Sequence, residues 1–191
     1  MKKALFLIIF SSYLLFGQNS FKKAEVSFGD SAFTSGLNLA TEFNVGKNKE
    51  IEVVGNSERF FGVLSYVTQK LDIEASGGVF KELPWVGPRI IYRPHNRLMF
   101  LYWGGVSPGR VGDAKKEIKS FFQQGTFYTQ VHKNLSLGYT IIKFDIYKTN
   151  HLPEIGLSKK ITDKVTVKFS ATYDINESKP LYMVSLLYQH K

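Results

Sequence analysis

The sequence predicts an all-β fold: a closed antiparallel up-and-down β-barrel of about ten strands whose wall is transmembrane, with eight or twelve strands as the alternatives. Three observations carry this. In residues 165–174, Val165, Val167, Phe169, Ala171 and Tyr173 fall on one side of an extended chain and Thr166, Lys168, Ser170, Thr172 and Asp174 on the other. Residues 181–189 repeat the pattern, with Tyr182, Val184, Leu186 and Tyr188 sharing a face close to the C-terminus. After residue 17 no apolar run approaches the roughly 20 residues that a spanning helix requires, so entry into a membrane demands a sheet with no free edge.

Residues 1–17 read as a secretion signal peptide. Lys2 and Lys3 give the positive start, residues 4–16 the apolar stretch, and Gly17 the small residue at the cut before Gln18 or a few residues later. An apolar helix of about 13 residues is short for a bilayer, which favours a cleaved leader over an anchor. Residues 18–32 form an N-terminal lead-in, with a small extra strand as the alternative, and residues 33–191 the barrel domain. The 43% apolar share of the 191 residues fits one folded domain and excludes disorder. With no cysteine, neither a lipid-anchored cysteine nor a disulfide framework is available. Removal of Lys2 and Lys3 lowers the net charge from +9 to +7. For an exported chain that excess points to lipid phosphates or polyanionic glycolipid before nucleic acid.

The strands follow in order. In residues 33–45, Phe33, Leu37, Leu39, Phe43 and Val45 oppose Thr34, Asn38, Glu42 and Asn44, and a charged loop is expected over 46–57. Residues 60–67 and 71–80 make a hairpin about the turn 68–70, with Leu71, Ile73, Ala75 and Val79 opposing Asp72, Glu74 and Ser76. A connection over 81–86 leads to a strand at 87–93, a turn at Pro94-His95-Asn96 and a return strand at 97–106 that is apolar on both faces. The longest break, 107–122, opens with Ser-Pro-Gly; within it Asp113 is placed to cap a short helix whose Ile118, Phe121 and Phe122 share a side. Residues 125–131, a turn at 132–134 and residues 135–147 form the next hairpin. In its second arm the apolar face shifts from Leu135, Leu137, Tyr139 and Ile141 to Ile142, Phe144 and Ile146, which predicts a β-bulge near 141–142 and leaves Lys143 and Asp145 with the polar set. Residues 155–161, the turn 162–164 and residues 165–174 form the fourth hairpin, and 181–189 closes the series.

These boundaries sort the connections. The tight turns at 68–70, 94–96, 132–134 and 162–164 fall at the end that carries both termini, and the longer segments 46–57, 81–86, 107–122, 148–154 and 175–179 at the other. An outward apolar residue gains on the order of 1.5–3 kcal/mol by burial, whereas an outward lysine at mid-bilayer costs about 2–4. The faces that carry Glu42, Glu74, Lys143, Asp145, Lys168 and Asp174 are therefore expected inside. There, in a narrow barrel, paired charges are expected in place of an open channel. Tyr139, Tyr173, Tyr182 and Tyr188 are candidates for aromatic girdles at the two membrane interfaces.

Segments such as Lys133-Asn134-Leu135-Ser136-Leu137-Gly138-Tyr139 and Thr162-Asp163-Lys164-Val165-Thr166-Val167 resemble the turn-then-strand units of small bacterial outer-membrane β-barrel proteins. The terminal set Tyr182, Val184, Leu186, Tyr188 is similar to the alternating signal by which such barrels are recognised, though here Gln189-His190-Lys191 follow. The resemblance implies a Gram-negative outer membrane as the location, and outer-membrane lipid, lipopolysaccharide and the outer-membrane assembly machinery as partners. A non-enzymatic role in surface interaction, envelope stability or support of a larger assembly follows from it. The alternatives are a lipid hydrolase or acyltransferase sited at the rim and a soluble periplasmic barrel that encloses an apolar ligand.

No motif assigns a catalytic, cofactor-binding or metal-ligating residue. His95 and His132 fall in tight turns, His151 in a loop and His190 at the tail, without the close spacing of a metal site. Gly77-Gly78 and Gly104-Gly105 lie in strands, where glycine marks a bulge, a bend or a close backbone approach. His151-Leu-Pro-Glu154 is the one local pairing of a base with a carboxylate that an enzyme could use, against an ordinary proline-containing loop. Arg89, Arg93 and Arg97 flank one turn. Lys115, Lys116 and Lys119 sit in the longest break, either as a solvated basic loop or facing lipopolysaccharide phosphates.

Overall fold

The computed structural model describes residues 20–31, 34–56, 59–80, 83–110, 117–144 and 149–190. Twelve strands run in chain order: β1 (Phe21–Ser31), β2 (Thr34–Gly46), β3 (Lys49–Gly55), β4 (Arg59–Val67), β5 (Leu71–Phe80), β6 (Leu83–His95), β7 (Leu98–Arg110), β8 (Glu117–His132), β9 (Leu135–Phe144), β10 (Asn150–Lys160), β11 (Val165–Asp174) and β12 (Lys179–Gln189). Each pairs antiparallel with its sequence neighbours, and β1 pairs with β12 from Lys23↔Gln189 to Gly29↔Met183, so the sheet closes on itself. Closure removes every free edge, which is the condition for a sheet to stand in lipid.

The two faces separate by chemistry. Phe169 (38% exposed), Val184 (50%), Leu157 (52%) and Leu64 (53%) point outward, as do Phe28, Ile73 and Tyr173. Their strand neighbours Ser185, Ser65, Glu74, Asp174 and Ser27 are buried inside. Lys168 stands opposite Ser158 and Ser185 on the inner face and pairs with Glu25. All four tyrosines expected in girdles face outward. Tyr188 lies near the end that carries the short turns, where it stacks on Phe21, and Tyr173 and Tyr182 near the other.

Tight turns join β2 to β3, β4 to β5, β6 to β7, β8 to β9 and β10 to β11, all at the end where β1 starts and β12 finishes. This is the turn end, and the opposite one is the loop end. The strand count is twelve and not ten, because β1 lies in the segment read as a lead-in and β3 in the segment read as the charged loop 46–57. The chain reverses at Lys47-Asn48, where Asn48 adopts φ 59°, a left-handed conformation that asparagine tolerates. Beyond it Glu50 and Glu52 face inward while Ile51 opposes Leu64 outside. The strand 33–45 therefore runs towards the turn end, opposite to the direction that an outer loop at 46–57 requires.

Three further expectations change. The helix expected within 107–122 is replaced by strand: β7 extends to Arg110, and β8 carries Ile118, Phe121 and Phe122 in unbroken register with it. Phe121 and Phe122 consequently lie on opposite faces; Asp113, Lys115 and Lys116 lie outside the described residues. No bulge interrupts β9 at 141–142, since Gly125↔Ile141, Gln124↔Ile142 and Gln123↔Lys143 continue in step. Ile142 is thus buried inside at 2% exposure and Lys143 faces outward. Asp145 and Ile146 lie outside the described residues. Finally, β10 begins at Asn150 and β6 at Leu83, so most of 148–154 and of the connection expected at 81–86 is strand.

Candidate functional site: the barrel lumen

The inner residues of β1–β6 assemble a charged layer in the turn half. Arg89 on β6 stands opposite Glu74 on β5 and hydrogen-bonds to it, and its Nη2 donates to Glu52 on β3 at 2.6 Å. Ser65 donates to the other Glu74 oxygen at 3.0 Å. Nearer the turn end Arg93 pairs with buried Asp72 at 2.6 Å, Lys22 with Glu42 at 2.7 Å and with Glu50, and Lys23 with Glu42. Lys168 reaches Glu25 across the closing seam at 3.3 Å. These groups surround a cavity of about 560 Å³ at the turn end. In this layer the buried acids Glu42, Asp72 and Glu74 each meet a cation, as the cost of an unpaired charge in a low dielectric requires.

Loopward of Arg89 lies an aromatic layer. Trp103 on β7 packs edge to face on Phe61 (5.5 Å) and on Phe122 (5.1 Å), and Phe122 packs the same way on Trp85 (5.1 Å). The indole of Trp103 donates to Ser76 Oγ at 2.8 Å, and Ser76 donates to the Gly87 carbonyl at 2.8 Å, so the ring is held by the wall itself. The glycine pairs make this crowding possible. A side chain at Gly78 would meet the backbone of Phe60 and Phe61, and one at Gly105 the Phe122 ring at 2.8 Å.

The opposite wall is lined differently. Gln124, Thr126, Thr140, Ser158, Ser170 and Thr172 are half-buried on the inner face, and Thr126 and Thr140 share a hydrogen bond at 2.9 Å. Glu154 belongs to this wall and accepts from Thr172 at 3.3 Å. Small polar groups thus line the middle of the β8–β12 wall, while Ile142, Leu152 and Leu181 are buried inside towards the loop end and Leu187 towards the turn end.

The expected inner set Glu42, Glu74, Lys168 and Asp174 is inside, and Lys143 is not. His151 faces outward beside Ile141, where Tyr139 Oη lies 2.9 Å from its Nδ1, while Glu154 faces inward. Three residues apart on a strand, the two cannot act as a pair. His95, His132 and His190 are exposed at the turn end. Arg89 is deep in the lumen, Arg93 at its mouth and Arg97 exposed on the rim, and Lys119 lies in β8. The rim carries Lys47, Lys49, Lys70, Arg97, Lys133, Lys159, Lys160 and Lys164, all exposed. Among them Asp163 is held below the usual carboxylate range by the Lys160 ammonium that donates to it. The basic excess therefore gathers at the end opposite to the loop lysines first considered. Sequence reading missed Glu52 and the aromatic layer; the apolar inner face of 97–106 was the available signal for the latter.

No protein-family model matches the chain, and no curated protein matches it in sequence. Solved structures do match. The KdgM porin superposes with a TM-score of 0.55 at 14% identity, covering 90% of this chain and 99% of that one. The KdgM porin in complex with disordered oligogalacturonate gives 0.56 at 14% identity with the same coverage. The outer membrane protein Omp33 of Acinetobacter baumannii gives 0.41 at 9% identity, covering 90% of this chain and 98% of that one. The chain has the fold of bacterial outer-membrane β-barrel proteins, as its turn-then-strand segments suggested.

Proposed function

We propose that this chain is an integral, non-enzymatic β-barrel of the outer membrane, exported by its leader, with a constricted lumen that admits ions and small solutes. One observation carries the membrane reading: Phe169 and Val184 look outward while Lys168 and Glu25 pair inside. In water that arrangement is unfavourable on both faces, and in lipid it is favourable on both. The start of β1, the end of β12 and five tight turns share one end, and the connection between β7 and β8 lies at the other, which supports a periplasmic position for the turn end and an outer one for the loop end. A soluble carrier would need its apolar faces enclosed, which is the reverse of this barrel. A rim enzyme built on His151 and Glu154 loses its site, because the sheet separates them.

A lumen with an Arg–Glu bridge beside an aromatic layer supports a weak conductor over an open porin. The KdgM porin is known in complex with disordered oligogalacturonate, a polyanion. Here the cavity cations Lys22, Lys23, Arg89, Arg93 and Lys168 are matched by Glu25, Glu42, Glu50, Glu52, Asp72 and Glu74, which does not favour such a ligand. The test is outer-membrane fractionation followed by electrophoresis with and without boiling, then planar-bilayer recording. A detergent-dependent, heat-modifiable band with small conductance steps supports the reading. Recovery in the soluble periplasmic extract overturns it.

A further inference from the structure

Among the described residues the outward face is largely apolar or aromatic through its middle, and towards the loop end of β8–β10 a polar patch interrupts it. Gln123 on β8 stands directly opposite Lys143 on β9, and His151 on β10 opposite Ile141. Gln123 donates to Tyr102 Oη at 3.3 Å, and Tyr139 Oη contacts His151 Nδ1 at 2.9 Å. Lys143, one residue from the end of β9, is exposed and pairs with no acid among the described residues. An outward lysine costs about 2–4 kcal/mol at mid-bilayer and about 0–1 near the interface, so this ammonium belongs at headgroup depth.

Directly turnward of the patch the wall is hollow. Gly125 is the floor of an apolar cleft of about 340 Å³, walled by Phe100, Tyr102, Phe127, Tyr139 and Ile141. The register explains it: Gly125 lies between Tyr102 and Ile141 on the same face, so large side chains on both neighbouring strands rise around a position with none. A Cβ at Gly125 would meet nothing within 4 Å. A cleft this narrow and apolar, continuous with a cation, an amide and two phenol hydroxyls, has the shape and chemistry of one acyl chain below one phosphate.

We propose that this face holds a lipopolysaccharide molecule, with an acyl chain of its lipid A over Gly125 and a lipid A phosphate on Lys143 and Gln123. The choice of lipid follows from the orientation given above, since the loop end stands in the outer leaflet; the inference rests on that membrane reading. It uses different residues from the loop lysines, and it gives a reason for an otherwise costly outward Lys143. The Tyr102 and Tyr139 hydroxyls, already engaged with Gln123 and His151, fix the polar rim at the top of the cleft.

The experiment is native mass spectrometry of the folded barrel released from detergent, with purified lipid A and with phosphatidylglycerol as separate probes. The proteins are wild type, Lys143→Glu, Gly125→Leu and, as a control outward lysine at the other end, Lys159→Glu. Each is first shown to be heat-modifiable, which keeps a folding failure apart from a binding failure; Lys143→Met serves if the glutamate variant does not fold. Wild type and Lys159→Glu are expected to retain one lipid A. Reversal of a charge at the headgroup should weaken retention by about tenfold, and Gly125→Leu should lower it with the charge intact. Equal retention by wild type, Lys143→Glu and Gly125→Leu overturns the proposal, as does phosphatidylglycerol held in preference to lipid A. A wild-type protein that is soluble and not heat-modifiable sinks the membrane reading itself, a different result from a heat-modifiable barrel that binds no lipid.

Discussion

Arg89 and Glu74 face each other directly across β6 and β5, and the same guanidinium reaches Glu52 on β3. Glu74 keeps 4% of its side chain exposed and Arg89 18%, so both carboxylates depend on one buried cation. Arg89→Met should destabilise the barrel by about 3–5 kcal/mol, because it strands two acids in the lumen. Replacing all three, as Arg89→Met with Glu52→Gln and Glu74→Gln, should recover most of that loss. Urea midpoints of the barrel refolded into vesicles measure it. A triple variant no more stable than the single one would show that the charges are not the reason.

The division between faces predicts an asymmetry between neighbours on one strand. Phe169→Lys puts a charge against lipid and should cost about 2–4 kcal/mol, whereas Ser170→Lys, half-buried on the polar wall, should cost much less. Folding free energies in vesicles of fixed composition decide it. Equal losses at the two positions would mean that the outward face does not meet hydrocarbon.

What could be read from the chain beforehand follows the same division. In β11 every outward residue from Val165 to Tyr173 is apolar and every inner one from Thr166 to Asp174 polar, so a period of two is plain; in β12 the outward set Tyr182 to Tyr188 is as regular, although Leu181, Met183 and Leu187 share the inner face with Ser185. In β3 the inner face begins with Glu50 and Glu52, and the strand follows the turn Lys47-Asn48 and opens on Lys49, which is the composition of a solvated loop. Only Arg89 and Lys22, 37 and 28 residues distant from their partners in β3, make those acids tolerable inside. The aromatic layer was hidden for a related reason. Phe61, Trp85, Trp103 and Phe122 come from four strands, and each looks like a misplaced apolar residue until the register brings them together. At Ile141-Ile142 two adjacent apolar residues imitated a bulge, when one faces outward and the other into the lumen.

That layer should limit conduction. Trp103→Ala removes the ring in contact with both Phe61 and Phe122, and single-channel conductance in planar bilayers should rise, at a stability loss of about 3–5 kcal/mol. Ser76→Ala leaves the ring in place without its acceptor, so about 1–3 kcal/mol should be lost with little change in conductance. Unchanged conductance in Trp103→Ala would place the constriction at the Arg89 layer instead.

Gly87 and Gly125 form a matched test of how tightly the wall is closed. A Cβ on Gly87 would lie 1.9 Å from the Gly104 carbonyl oxygen and 2.6 Å from the Gly105 Cα, both backbone atoms of β7, so no rotamer change relieves the contact. β6 and β7 must separate locally, two residues along β6 from Arg89 and next to Trp103 on β7. Gly87→Ala should therefore cost about 1–3 kcal/mol, the usual range for overpacking. Gly125→Ala meets open space and should stay within about 0.5 kcal/mol of wild type. Both are read from the urea midpoint at constant slope, since a change of slope would signal a different denatured or native compactness and not a different stability. Equal midpoints would show that β7 yields at Gly104-Gly105, and the close approach would then reflect glycine on both strands rather than a wall that resists widening.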